Sequence, residues 1–466
     1  MQQTSWLAFS IDRSAKIPVF EQICAAIRGR VVSGGLTEGT ALPATRVFAT
    51  ELGVSRSTVV TAYEQLVAEG YLRSRQGSGY AVCTISETEP NPSPVPSIRP
   101  AEDTALPPIP FEIGQPDTRL FPHRQWAKSV ARVCRTNPEA MLAGGTSFGN
   151  PALRQAIAAH VAEWRGIDAA PHQVIVTAGS ADALEICMSV LAEAGDQIGL
   201  ESPGYLPARH FAKMRGLKSV YMQIDDQGAE LPLGTPKFVV LTPSHQYPLG
   251  GAMSPGRRLE FIQCAESTGA WIVEDDYDSE FRYAGRPIPA LAGFDRMNRT
   301  IYVGSFSKIF SNALRLGYLI VPDILLDRFR AAIKRSGVKA SYMPQQALAE
   351  FMTSGEFYRH LRRVRRVYGE RRKHLVDQLS REFAMFGTFE DHQAGMHIAF
   401  HLNDGLSDKT IACRASDAGI AVQPLSALSG KPYSMNGLAL GFCGYTEDEA
   451  DSALEKLKTC ITKSVG

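Results

Sequence analysis

Five short apolar runs punctuate the middle of this 466-residue chain, and each stops abruptly at a polar or glycine-rich group. They are VIV (174–176) before TAGSADAL, IGL (198–200) before ESPGY, FVVL (238–241) before TPSHQYPLG, WIV (271–273) before EDDYDSEF, and IYV (301–303) before GSFSK. Continuous runs of this kind, separated by helical stretches, predict strands buried on both faces of a mainly parallel sheet in an α/β domain. Ligands of such open sheets sit at the carboxyl ends of the strands, so the five polar groups are expected to converge on one crevice.

The first eighty residues carry a different period. Phe20, Ile23, Ala26, Ile27 and Val31 fall at helical spacing within residues 18 to 34, and glycines end the run. In LPATRVFATELGVSRSTVVTAYEQLVAEGYL, Thr45 is read as the cap of a helix through Leu52, Gly53 as the turn, and Ser55 as the cap of a helix to about Glu69. That is helix-turn-helix spacing: Val54, Val59, Ala62, Tyr63 and Leu66 face a core, while Ser55, Arg56, Ser57 and Thr58 gather at the end that enters the major groove in this motif. YLRSRQGSGYAV then reads as a hairpin, with Gln76 to Gly79 at its tip and Arg73 and Arg75 beside it, able to reach phosphates or the minor groove. On pattern alone, a small helical domain whose hairpin binds protein is an alternative.

Between Cys83 and Pro110 repeated prolines and almost no apolar periodicity predict an extended, semi-stiff spacer. The expected organisation is therefore a DNA-binding domain over 1–82, a linker over 83–110, and an α/β domain over 111–466 with a smaller α/β subdomain from about 331. A length of 466 residues fits more than one core. The formal net charge of +1 confines any DNA contact to a local surface. The eight scattered cysteines show no metal or disulfide spacing and, with no apolar leader, point to a soluble cytoplasmic protein with reduced thiols.

Chemistry follows from the strand ends. Gly179, Ser180 and Ala181 open an apolar helix whose free N–H groups suit an anion such as a phosphate. Asp275, at the end of a run, suits a carboxylate held against a protonated ring nitrogen; Tyr277 can bond a phenolic oxygen, and Tyr205 can lie on an aromatic ring. Lys308, among Ser305, Ser307 and Arg315, is expected to be desolvated beside cations, which favours the neutral amine that forms a Schiff base with an aldehyde. Phosphate, pyridine, phenol and aldehyde are the handles of pyridoxal 5′-phosphate.

IPVFEQI, LPATRVFATELGVSRSTVVTAYEQL and AEGYLRSRQGSGYAV closely resemble the winged helix of GntR-type bacterial regulators over nearly all of residues 10 to 82. That resemblance implies DNA contact by Arg46, Arg56, Ser57, Thr58, Arg75 and Gly77. FEIGQPDTRLFPHRQW, VIVTAGSADAL, LESPGY, LTPSHQYPLG, WIVEDDYDSEFRY and VGSFSKIFSNALRLGYL make residues 111 to 466 resemble the fold-type-I aminotransferases. The whole chain resembles the MocR family, also named after GABA-responsive regulators, in which the two domains are fused. The resemblance implies a Schiff base at Lys308, Asp275 on the pyridine nitrogen, Tyr277 near the ring hydroxyl and Tyr205 stacked. It places the phosphate on Ser180, Ala181, Ser305, Ser307 and Arg315.

Three positions depart from the aminotransferase pattern. Tyr247, with His245 nearby, stands where an Asn usually approaches the ring hydroxyl. Ala439 stands where an Arg usually clamps the substrate carboxylate, and Phe148 where a Tyr often reaches the phosphate across a dimer interface. These changes count against ordinary transamination of α-amino acids and leave cofactor binding less affected. The basic run from Arg359 to Leu375 carries Leu361, Val364, Val367, Tyr368 and Leu375 at core spacing, and reads as a solvated helix face in preference to a second DNA-contact surface. The expected protein is a homodimeric regulator that binds operator DNA and senses an amine, an amino acid or pyridoxal phosphate itself at Lys308. An aminotransferase with a vestigial DNA-binding domain, and a repressor with a relic domain, are the rivals.

Overall fold

The computed structural model describes residues 11–75, 79–84, 109–139, 145–430 and 435–464. The chain divides into two compact units, residues 1–104 and 105–466.

In the first unit, helices α1 (Val19–Val32), α2 (Thr45–Leu52) and α3 (Arg56–Ala68) precede a hairpin of β1 (Leu72–Arg75) and β2 (Gly79–Val82), paired with Leu72 opposite Val82. Ile23, Ile27, Phe48, Val59, Tyr63 and Leu66 close a small core. Gly53 ends α2 at φ +64°, a left-handed turn that a side chain would strain. The cap of α2 differs from the sequence reading: the helix already includes Thr45, Ala44 precedes it in extended conformation, and no side chain caps it. The Thr45 hydroxyl instead accepts from Arg56 Nε at 3.4 Å, which ties the first turns of α2 and α3 together. Gly77 and the side chain of Arg75 lie outside the described residues.

In the second unit all five apolar runs are strands: β3 (Val174–Thr177), β4 (Gln197–Ser202), β7 (Phe238–Leu241), β8 (Trp271–Asp276) and β9 (Thr300–Ser305). With β5 (Lys218–Asp225), β6 (Gly228–Ala229) and β10 (Gly317–Ile320) they form an eight-stranded sheet of order β3-β10-β9-β8-β7-β4-β5-β6. The pairs from β9 through β8, β7 and β4 to β5 are parallel. Strand β10, in the segment GYLI, inserts antiparallel to both β3 and β9, so β3 still runs in the direction of the other four runs. Their carboxyl ends therefore lie on one edge.

A second, antiparallel sheet of order β11-β12-β14-β13 is built from β11 (Gly387–Phe389), β12 (His397–Leu402), β13 (Gln423–Pro424) and β14 (Gly437–Gly441). The long helix Glu356–Gln378 buries Phe357, Leu361, Val364, Tyr368 and Leu375. It exposes Arg359, Arg362, Arg366 and Lys373. Among the described residues no helix is long and apolar enough to cross a membrane.

Candidate functional site

Ser180, Ala181, Tyr205, Asp275, Tyr277, Ser305, Ser307, Lys308 and Arg315 all line a single cavity of about 420 Å³ at the carboxyl edge of the large sheet. The strand ends deliver them. Asp275 sits on the last turn of pleat of β8, Ser305 closes β9, and the segment after β3 turns at Gly179 into the helix Ser180–Leu191. Gly179 holds φ +93° and no side chain among the described residues caps that helix, so its first-turn N–H groups remain available to an anion at the cavity wall. Arg315 adopts a left-handed backbone at φ +47°, a conformation that a non-glycine residue holds only under constraint.

Burial governs the electrostatics. It lifts the Asp275 carboxyl to about 7, reinforced by Asp276, Glu201 and Asp278 and opposed by Lys308. Glu201, whose carboxylate accepts from the Thr242 N–H at 3.0 Å and hydroxyl at 2.5 Å, is likewise pushed by burial to about 7. Burial lowers the Lys308 amine, while Asp278 and Asp275 oppose that shift. The expectation of cationic company around Lys308 is thus corrected: the opposing charges are acidic, and desolvation is what favours the neutral amine. Lys308 Nζ donates to the Gly114 carbonyl at 2.7 Å. Gly114 holds φ +68°, a backbone conformation that a side chain would strain, and a Cβ there would stand 2.5 Å from Nζ.

Tyr277 is anchored from behind, its hydroxyl 2.9 Å from His245 Nδ1, which also lies 3.0 Å from Asp278 Oδ1. Tyr247 stands edge-on to Tyr205 and Tyr277, with ring centroids 5.9 and 5.7 Å away, and forms part of an aromatic wall. Ala439 is wholly buried on β14 and packs with Ala399 near Ile113 and Tyr247. Phe148 lies away from the cavity lining; it is buried with the guanidinium of Arg330 4.9 Å from its ring centroid. Ile113, Gly114, Thr242, Asn312, Met396 and His397 also line the cavity and were not singled out by sequence reasoning. Gly114 and Thr242 fall inside the quoted motifs FEIGQPD and LTPSH, but nothing in GMHIAF marks His397.

Pyridoxal phosphate fits this cavity on a structural observation: Asp275 Oδ1 is buried with no hydrogen-bond partner among the described residues, an acceptor suited to a protonated ring nitrogen. The uncapped helix at Ser180, with Ser305, Ser307 and Arg315, would hold its phosphate, and Tyr205 and Tyr277 its ring and phenolic oxygen.

On the DNA-binding unit, Ser55 caps α3, its hydroxyl accepting from the Thr58 N–H at 3.1 Å. Arg46, Ser55, Arg56 and Ser57 are exposed and Thr58 is half-buried. The bond between Thr45 and Arg56 brings the exposed first turns carrying Arg46 and Arg56 side by side.

Comparison with known proteins agrees with both units. Residues 107–457 match the family model of aminotransferase class I and II, and residues 20–82 match that of bacterial regulatory proteins of the gntR family. The probable rhizopine catabolism regulatory protein MocR of Rhizobium meliloti is 36% identical, over 97% of this chain and 95% of its own length. The pyridoxine biosynthesis transcriptional regulator PdxR of Corynebacterium glutamicum is 33% identical, over 98% of each chain. Among solved structures, the α-aminoadipate aminotransferase LysN of Thermus thermophilus, complexed with N-(5′-phosphopyridoxyl)-L-leucine, is 27% identical with a TM-score of 0.69, covering 76% of this chain and 92% of its own. The fold-type-I aminotransferase domain and its cofactor, pyridoxal phosphate, follow from these matches together with the cavity. A gntR-type helix-turn-helix joined to a class I and II aminotransferase domain, with full-length relatives of the same build, places this chain in the MocR family of transcriptional regulators.

Proposed function

We propose that this protein is a homodimeric regulator that reads operator DNA with its winged helix and senses an amine, an amino acid or pyridoxal phosphate itself in the cavity around Lys308. The observation that carries the reading is one chain holding both an exposed recognition-helix start and a cavity whose buried, partnerless Asp275 oxygen calls for a protonated ring nitrogen. When bound, pyridoxal phosphate supplies an aldehyde that bonds reversibly to primary amines. Lys308 supplies the chain's own amine, held toward its neutral form by burial. Asp275 keeps the ring nitrogen protonated, the Ser180 helix and Arg315 fix the phosphate, and the aromatic wall excludes water from the ring.

Regulation then requires an effector that binds two arrangements of the dimer unequally, because an equal affinity shifts nothing. The proline-rich linker sets which operator spacings both winged helices reach together. Genes of nitrogen-compound or vitamin B6 metabolism are the expected targets: the relatives' names point to rhizopine catabolism and pyridoxine biosynthesis. A match to a 2-aminoadipate transaminase, 29% identical over 70% of this chain, favours the enzymatic reading. Ala439 in the place of a carboxylate-clamping arginine weighs against it.

The deciding measurement is operator binding by the full-length protein with and without pyridoxal phosphate and a panel of amines. A response to one of these that vanishes in Lys308→Ala is expected. Steady transamination without sequence-specific DNA binding would instead establish an enzyme.

A further inference from the structure

His397 carries a buried nitrogen with nothing to bond among the described residues. The residue begins β12, lines the cavity, and is 4% exposed. Its Nε2 lies 2.9 Å from the Pro248 carbonyl oxygen. A carbonyl only accepts, so Nε2 carries the proton and Nδ1 presents a lone pair. Nδ1 has no hydrogen-bond partner among the described residues. An unsatisfied acceptor at such depth is costly unless a ligand donates to it.

The surroundings fix what kind of ligand group that is. Burial and the neighbouring His245 push the His397 imidazole down to about 3, so it stays neutral across the physiological range and offers no charge to an anion. In the antiparallel register His397 pairs with Gly441, and two residues along the same face Ala399 pairs with Ala439. Ala439 is wholly buried, lies behind the cavity lining and cannot clamp a carboxylate, and the rings of His245 and Tyr247 flank His397 at 5.5 and 5.7 Å. The cations that line the cavity, Lys308 and Arg315, belong to the cofactor's aldehyde and phosphate ends in the reading given above.

We infer that His397 Nδ1 is a specificity-determining acceptor for a hydroxyl of the effector, and that the effector is a hydroxylated primary amine and not an α-amino acid. A carboxylate at that point would set its own lone pairs against that of Nδ1. A hydroxyl donates to Nδ1 and leaves a neutral oxygen beside Tyr247 and Met396. This inference rests on the amine-sensing reading of the Lys308 cavity, and its test separates the two.

Three probes share one skeleton: serinol carries two hydroxymethyl groups, L-serine replaces one of them with a carboxylate, and isopropylamine carries no hydroxyl. Each is titrated into the full-length protein loaded with pyridoxal phosphate, following the absorbance of the bound cofactor and, separately, the midpoint of thermal unfolding. Serinol is expected to bind about tenfold more tightly than isopropylamine, with serine weakest of the three. In His397→Phe, which removes the Nδ1 acceptor together with the Nε2 donor to Pro248, the advantage of serinol over isopropylamine disappears. His397→Asn, whose side-chain oxygen restores an acceptor, recovers part of it. Serine binding as tightly as serinol to the wild type, or a serinol preference that survives in His397→Phe, overturns the inference and leaves amine sensing standing. A cofactor spectrum and unfolding midpoint that none of the three amines moves overturns both.

Discussion

Two helix starts in this protein look alike in sequence and are finished in opposite ways. At α3, the Ser55 hydroxyl accepts from the Thr58 N–H, so the helix is closed by its own chain, and the side chains proposed to meet DNA, Arg56 and Ser57, stand in solvent. At Ser180, the residue before the helix is Gly179, no side chain caps the turn, and the backbone donors face a cavity. A capped start reads with side chains; an uncapped one keeps its dipole and N–H groups for an anion. The same contrast extends to burial: the groups proposed to read DNA are exposed, whereas the cavity holds atoms at Asp275 and His397 that have no hydrogen-bond partner among the described residues.

The largest expected effect comes from finishing the second helix start with a charge. Ser180→Asp puts a carboxylate where the phosphate is proposed to sit, and pyridoxal phosphate affinity, followed by absorbance titration, is expected to fall about a hundredfold or more. Without the cofactor the same variant should be no less stable than wild type, because an acid at a helix amino terminus contributes about 0.3 to 1 kcal/mol. A loss of stability with unchanged cofactor affinity would erase the contrast between the two starts.

Next is the stored charge at Asp275. Burial raises this carboxyl to about 7 in the folded protein, so the native state keeps a proton over a range in which the unfolded chain, with its carboxyl near 4, has released it. The contribution of this group to stability is full below about pH 4, declines as the pH rises to about 7, and is flat beyond. Between pH 5 and 8 the cofactor-free wild type should lose more stability than Asp275→Asn, by up to about 3 kcal/mol, read from denaturant midpoints at each pH. Parallel curves for the two proteins would show that the buried oxygen is not under strain.

Arg56→Ala acts on the exposed side of the comparison. Loss of a guanidinium at the start of α3 is expected to weaken operator binding by about 1 to 3 kcal/mol, measured by fluorescence anisotropy, with the cofactor absorbance unchanged.

The contrast also explains what the sequence disclosed. Apolar runs that stop at polar groups are legible because strand burial and strand ends are local properties, and they led to Ser180, Tyr205, Asp275, Ser305 and Lys308 together. Contacts made across the chain were not. Arg315 is near Lys308 in sequence, yet burial and, against it, acidic groups led by Asp278 and Asp275 act on its amine. His397 reaches the cavity from a second sheet, in a run, GMHIAF, whose alternation says only strand. Strand β10 was hidden because GYLI reads as one more buried run, and only pairing reveals that it is antiparallel. Thr45 looked like a cap because composition marks cap residues, whereas the backbone turns helical one residue earlier.

The smallest effect is the most discriminating for α3 itself. Ser55→Ala removes the cap and should cost about 1 kcal/mol of stability in the amino-terminal unit, since the Thr58 N–H loses its acceptor. Ser55 also bonds the hydroxyls of Ser57 and Thr58, at 2.7 and 2.8 Å, so a weakened operator affinity in Ser55→Ala could arise from a frayed helix or from a lost DNA contact. Ser55→Asp separates the two. Aspartate caps as well as serine, so the unfolding midpoint should return to that of the wild type, while its charge faces the phosphates and operator affinity should drop below that of Ser55→Ala. If Ser55→Asp instead binds DNA as the wild type does, this helix start does not approach the duplex, and the groove is entered by another part of the unit.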